Sequence, residues 1–285
     1  MKINTISPQD QNFTQIIGDI VNRPKRLYFT GKLPETRKPT VAIVGSRRPT
    51  SYGKEVTFKL AYDLAKRGLI IVSGLAIGVD TIAHKAALDA GGTTIAVLAG
   101  GVDTIYPATN RGLAQEILDN DGAIVSEYEP GTLARDFQFL ERNRIVSGLS
   151  DAVIVTEAAA RSGTLATVAH ALDQNREVFV VPGNITSPLS AGCNNLIKQG
   201  AYPITGSDDV LEIIAPDLLK TQSILPLGST PLESEIIHLL QSGVRDGDEL
   251  QEKTAVNINE FSQALTMMEI NGTIRALGGN QWTLK

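Results

Sequence analysis

Six short apolar runs punctuate the chain from residue 41 onward: VAIVG at 41–45, LIIVS at 69–73, TTIAVLA at 93–99, AIVS at 123–126, AVIVTE at 152–157 and EVFVVPG at 177–183. Most are rich in Val and Ile, and turn-forming residues follow them, which predicts strands. The segments between them carry helical periodicity, so β and α alternate. The runs are continuously apolar rather than alternating, which predicts strands covered on both faces, as in a parallel sheet with helices packed on each side. A doubly wound, mostly parallel α/β sheet follows. Ligands of such sheets bind outside the carboxyl ends of the strands, so the loops GSRRPTSYG, SGLAIGVD, GGVDTIYPATN, EYEPGTLARDFQFLERNR and EAAARSGT hold the functional information.

The ends of the chain read differently. Residues 1–40 are expected to form a helix and an arm covering the domain at 41–216. Residues 217–230 are rich in Pro, Gly, Ser and Thr and read as a linker. In 231–285, three short helical patterns precede a hairpin around Gly278-Gly279, the profile of a small winged-helix-like domain. No repeats are present.

Composition narrows the class. The 285 residues are 42% hydrophobic and 20% charged, the profile of a soluble globular protein. No apolar run approaches a membrane span, and the polar N-terminus lacks the apolar core of a secretory signal. A cytoplasmic protein with no membrane partner is expected. The formal net charge of −5 excludes a protein that coats nucleic acid through overall positive charge. The single cysteine, Cys193, reads as a small half-buried residue. His84, His170 and His238 have no further ligand at a suitable spacing, so no metal is expected.

The candidate chemistry lies in the loops. Gly45-Ser46-Arg47 follows the first run, where a tight turn opening onto a helix N-terminus favours an anion such as phosphate. The dinucleotide fingerprint is absent, because Arg47 and Thr50 occupy its later glycine positions. Gly53-Lys54 is followed by Glu55 where a P-loop requires Ser or Thr. Ser73-Gly74 and Ser162-Gly163-Thr164 supply two further small-residue turns at the same edge. Phe137 and Phe139 with Arg142 and Arg144 combine flat faces with fixed cations, as single-strand binding requires. One of the two phenylalanines is expected in the core, with Phe139 the exposed one. Arg47, Arg48, Arg135, Arg142, Arg144 and Arg161 together make a basic edge on an acidic body. Asp80 and Asp103 read as cap or turn residues. Glu127 and Glu157 are read first as acceptors of nearby N–H groups or as partners of an arginine, with a general-acid role as the alternative.

In this order the loops resemble the DprA/Smf family (DNA processing protein A). The likeness runs through Val41-Ala42-Ile43-Val44-Gly45-Ser46-Arg47, Tyr52-Gly53, Ser73-Gly74, Gly78-Val79-Asp80, Ala83-His84, Tyr106-Pro107, Asn110 and Ser126-Glu127. It continues through Arg142-Asn143-Arg144-Ile145, Ser162-Gly163-Thr164, Val181-Pro182-Gly183 and 194–201. The resemblance implies an extended Rossmann-like fold, a homodimer, and a protein that is not an enzyme. It implies that the protein binds and protects single-stranded DNA and loads the RecA recombinase onto it in natural transformation, without a cofactor. Within the resemblance Arg47 and Phe139 fall on DNA-contacting positions, while Asp136 stands where some members carry a lysine. The candidate DNA-binding set is Gly45, Ser46, Arg47, Arg48, Ser73, Gly74, Phe139, Arg142, Asn143, Arg144, Ser162, Gly163, Thr164 and Lys198. Asp246, Asp248, Glu249, Glu252 and Glu260 make the winged-helix-like region acidic, which favours protein contact there over duplex reading.

Two other readings compete. A nucleotide phosphoribohydrolase of the LOG/lysine-decarboxylase-like type needs a double glycine and a catalytic glutamate, and the matching loop has neither, with Thr167 at the glutamate position. A transcription regulator acting through the winged helix needs basic recognition helices.

Overall fold

The computed structural model describes residues 2–220 and 230–284. Strands β1 (Asn4–Ile6) and β2 (Leu27–Gly31) come first, and β3 (Thr40–Val44) is the first apolar run. Then follow α1 (Ser51–Lys66), β4 (Ile70–Ser73), α2 (Val79–Asp89), β5 (Thr94–Val97), α3 (Arg111–Asp119), β6 (Ala123–Ser126), α4 (Asp136–Gly148) and β7 (Ala152–Val155). The unit closes with α5 (Thr164–Asp173), β8 (Glu177–Val180), α6 (Ala191–Lys198), β9 (Tyr202–Pro203), α7 (Ser207–Ile214) and α8 (Pro216–Lys220). All six apolar runs are strands. Several stop short of the run's end because residues such as Gly45, Thr156 and Glu157 already belong to the loops.

The sheet order is β1-β2-β6-β5-β4-β3-β7-β8-β9. From β6 to β9 every neighbouring pair is parallel, while β1-β2 and β2-β6 are antiparallel. The chain therefore moves outward from β3 through β4, β5 and β6, then returns to lay β7 on the other side of β3. The β3/β7 boundary is a topological switch point, where successive crossovers diverge and leave a crevice beyond the strand ends.

Alternation along each strand serves two cores. Ala42, Val44, Val72, Val97, Val153 and Val155 face one layer with Ile145 and Val146 of α4 and Val168 of α5. Val41, Ile43, Ile71, Ala152, Ile154 and Phe179 face the other with Leu60 and Leu64 of α1 and Ala83 and Ala87 of α2. That is why polar residues fall only at the ends of the runs.

Residues 1–40 correct the expectation of a helix and arm. They contribute two sheet strands, with only short 3-10 turns between them. The strand of β2 is hidden in the sequence because its pairing partner, β6, lies about a hundred residues later: Phe29 faces Val125.

The chain divides between Leu219 and Lys220. Of the expected linker 217–230, the first residues belong to α8, and 221–229 lie outside the described residues. The second unit holds α9 (Pro231–Gln241), α10 (Gly247–Thr254), α11 (Ile258–Ile270), β10 (Ile274–Gly278) and β11 (Gln281–Leu284). Side chains of Thr230, Asp246 and Asn257 cap the three helices. Gly278 and Gly279 take φ of 90° and 57° at the hairpin turn, conformations that suit glycine. Asp246 bridges to Gln281, adding a third short pairing to the wing. This is a winged helix built on Ile236, Leu240, Leu250, Phe261, Leu265 and Met268. Among the described residues, no helix is long and apolar enough to cross a membrane.

Candidate nucleic-acid interface at the switch point

A cavity of about 470 Å³ opens at the carboxyl ends of β3 and β7. Gly45, Ser46 and Arg47 form one wall, Arg161, Ser162, Gly163 and Thr164 the second, and Phe139, Leu140, Arg142 and Asn143 of α4 the third. Three segments far apart in the sequence thus meet where the topology leaves room.

Glu157, buried just past β7, shapes the first wall. Its carbonyl accepts from Ser46 N at 2.7 Å. Its carboxylate accepts from Thr50 N at 2.8 Å and Thr50 Oγ1 at 2.7 Å. One residue therefore holds both ends of the loop 45–50, and Thr50 in turn accepts from Gly53 N to start α1. Gly78, with φ of 86°, packs so closely under this loop that a Cβ would collide with the carbonyl of Ser46. Across the cavity, Thr164 Oγ1 donates to the carbonyl of Gly45 at 3.1 Å. The N-terminus of α5 opens beside it, adding the positive end of a helix dipole.

Arg47 reaches over this space. Its guanidinium lies 5.6 Å from the Phe139 ring centroid, a cation–π contact, and among the described residues it has no hydrogen-bond or carboxylate partner. Phe139 packs on Tyr106 with centroids 5.5 Å apart. A cation held above a flat ring matches the needs of a nucleotide, phosphate on one and base on the other.

Arg142 behaves differently. It is buried, and its Nη1 donates to the carbonyl of Gly74 at 2.7 Å and to that of Val97, while Nε donates to Asn143 Oδ1 at 3.3 Å. Burial, opposed by the charge of Asp80 and reinforced by Arg47, lowers its pKa to about 10, so it stays cationic at neutral pH. Arg142 forms the cavity's charged floor, with Nη1 spent on backbone carbonyls and Nε on Asn143.

The expectations for Ser73-Gly74 and Arg144 are corrected by this geometry. The Ser73-Gly74 turn is not an anion nest: Ser73 donates to the carbonyl of Ile43, and Gly74 N donates to Asp80 Oδ2 at 3.0 Å. Asp80 also accepts from Ala76 N, so a carboxylate of the chain itself occupies that nest. Gly74 serves another end, because a Cβ there would strike the Arg142 guanidinium. Arg144, two residues beyond Arg142 and so on another face of α4, forms a bidentate pair with Glu127 at 2.6 and 2.7 Å and does not line the cavity. Glu127 and Glu157 thus act as an arginine partner and an acceptor of N–H groups. Arg48 and Lys198 are exposed and lie outside the cavity lining. Phe139 is half-buried while Phe137 is the more exposed, so neither ring is core. Arg161, counted on the basic edge but not in the contact set, lines the cavity. Its position beside the Ser-Gly-Thr turn was the available signal. Among the described residues, no three His, Cys, Asp or Glu side chains are grouped to hold a metal ion.

Two outcomes follow. Arg142→Met is expected to lower the unfolding free energy by about 3–5 kcal/mol, because Asp80 and two carbonyls lose a buried cation. Arg47→Ala should stay within about 0.5 kcal/mol of the parent, both read by urea unfolding. His84 is fully buried and bonded through Nδ1 to Thr94 Oγ1 at 2.7 Å; burial, then the charge of Arg142, push its pKa down to about 3. The unfolded chain binds this proton below about pH 6.5 and the folded one does not. Stability therefore falls as pH drops through that window, and between pH 6 and 5 the protein should lose about 1 kcal/mol more than His84→Asn.

One family accounts for both units of the chain. The model for DNA recombination-mediator protein A matches residues 4–215, and that for the DprA winged helix domain matches 221–280. DNA processing protein DprA of Streptococcus pneumoniae is 43% identical over 210 residues, 74% of each chain. The crystal structure of that organism's DNA processing protein A superposes with a TM-score of 0.71 at 41% identity, covering 75% of each chain. DNA processing protein A of Helicobacter pylori, whose structure concerns its single-stranded DNA binding mode, superposes with a TM-score of 0.67 at 35% identity, covering 76% of this chain and 97% of that one. A Rossmann-like sheet with its crevice between β3 and β7, a trailing winged helix and these matches together make this chain a member of the DNA recombination-mediator protein A (DprA/Smf) family.

Proposed function

We propose that this chain is a binding protein, not an enzyme, which holds single-stranded DNA in the switch-point cavity and delivers it to the RecA recombinase in natural transformation. The observation that carries the reading is the Arg47 guanidinium, without a hydrogen-bond or carboxylate partner among the described residues, above the Phe139 ring and beside the Ser162-Gly163-Thr164 turn at the start of α5. A phosphate bound there meets Arg47, Arg161 and the α5 dipole, and a base meets a flat face. Every base has such a face, so binding of this kind tolerates any sequence. The Helicobacter pylori relative, which superposes on most of this chain, binds single-stranded DNA, and that supports the same ligand here. RecA as recipient and a homodimeric assembly come with family membership and are part of the proposal.

The phosphoribohydrolase reading loses ground at the same cavity. Thr167 lines it where that chemistry needs a glutamate, and its carboxylate, Asp80, is committed to Gly74 and Ala76 N–H groups. A duplex-reading regulator is disfavoured because α11 contains neither lysine nor arginine, and phosphate contacts supply most duplex affinity.

Fluorescence anisotropy of labelled oligothymidine decides the matter. The parent should bind with a steep salt dependence and prefer single strands to duplex. Arg47→Ala should weaken binding about tenfold and flatten the log–log salt slope by about 0.7. In a second readout, RecA filament growth on strands coated by single-strand-binding protein should quicken with the parent and not with Arg47→Ala. An oligothymidine that fails to bind the parent sinks the DNA reading.

A further inference from the structure

The cavity accounts for one nucleotide and leaves its neighbours unplaced. Its 470 Å³ has room for a single residue of a strand rather than a stacked run, so the strand must leave it on both sides. The side chains waiting there are large, apolar and out in solvent: Tyr106 is 56% exposed, Phe137 55% and Leu140 50%. Each is tied to the cavity wall. The Tyr106 ring packs against Phe139. Leu140 lines the cavity, and Phe137 stands three residues before it in the first turn of α4, hence on the same helix face.

Apolar rings left in water lose hydrophobic free energy that burial would recover, and a cluster of them marks a contact surface. Among the described residues Phe137 stacks on no other ring. Asp136, beside Phe137, makes this side poor for a phosphate and leaves stacking as the attraction available. On these grounds we propose that Tyr106 and Phe137 are base-stacking platforms beside the cavity, each next to a residue of its α4 wall. The site then grips three consecutive nucleotides, the middle one in the cavity and its neighbours on the two rings. The inference rests on the reading that single-stranded DNA occupies the cavity.

The test uses the full chain and unlabelled thymidine oligomers of two, three and six nucleotides, competed against a labelled oligothymidine. Phe137 is exposed and its replacement should leave the thermal midpoint unchanged, so Phe137→Ala, Phe137→Leu and Phe137→Trp carry the decision, with Tyr106→Leu beside them. For the hexamer, Phe137→Ala and Phe137→Leu should each weaken binding about tenfold, and Phe137→Trp should restore it, because a base needs a flat partner and not merely an apolar one. Tyr106→Leu should cost a similar factor, and with Phe137→Ala the losses should multiply. A hexamer affinity within twofold of the parent for both Phe137→Ala and Tyr106→Leu, with Arg47→Ala still weakened, overturns the platforms and leaves DNA binding standing. A parent that binds no hexamer overturns the DNA reading itself, and the platforms with it.

Discussion

The site depends on one buried cation. At the carboxyl ends of β4 and β5 the carbonyls of Gly74 and Val97, with the Asp80 carboxylate, make a crowded electronegative patch. The Arg142 guanidinium fills it, donating to the carbonyls of Gly74 and Val97. Removing a guanidinium from water is expensive, and the lowered pKa records that expense. The fixed dipoles and the facing carboxylate offset it. Once Arg142 is seated, α4 is anchored in its second turn, which sets Phe139 and Asn143 against the cavity. Gly74 must then remain a glycine, and Asp80 must occupy the turn above it.

Around this floor the charged groups divide their work. Arg142 and Arg144 are committed to the protein, one to carbonyls and the other to Glu127, and Glu157 is committed to the loop 45–50. Arg47 and Arg161 are the exposed cations at the cavity. A net charge of −5 is compatible with anion binding because two cations and a helix terminus act over a few ångströms, within a Debye length, while the remaining charges are spread over the surface. The winged helix contributes no comparable field: residues 231–285 hold eight acidic and four basic side chains.

Much was readable in advance, for identifiable reasons. The strands β3 to β8 announced themselves because burial on both faces removes polar residues from the middle of a run, and the Val and Ile content and flanking turn residues mark such short runs as strands. The Gly278-Gly279 hairpin showed because its turn needs positive φ at adjacent residues. Glu157 and Glu127 were recognisable as acceptors and partners because charged strand-end residues near a buried edge must be satisfied. By contrast β1 and β2 are not legible in the sequence, since short strands at an antiparallel edge have mixed burial and depend on a partner far along the chain.

The sequence by itself determined the alternation of strands and helices, the edge at which the functional loops gather, and the residue types available there. Those properties are local, set by apolar periodicity and turn chemistry over a few residues. Only the tertiary structure decided which donors remain available to a ligand. Ser73 and Gly74 looked like an anion nest until Asp80 took Gly74 N and Ile43 took the Ser73 hydroxyl. Arg142 and Arg144 looked equivalent until a turn of about 200° between them sent one into the floor and the other to Glu127. The pairing of Thr164 with Gly45, and of Thr50 with Glu157, spans more than a hundred residues. A hydrogen-bond donor is spent by whichever acceptor the fold brings within about 3 Å, and at such separations that acceptor is chosen by the sheet order and not by the neighbouring sequence.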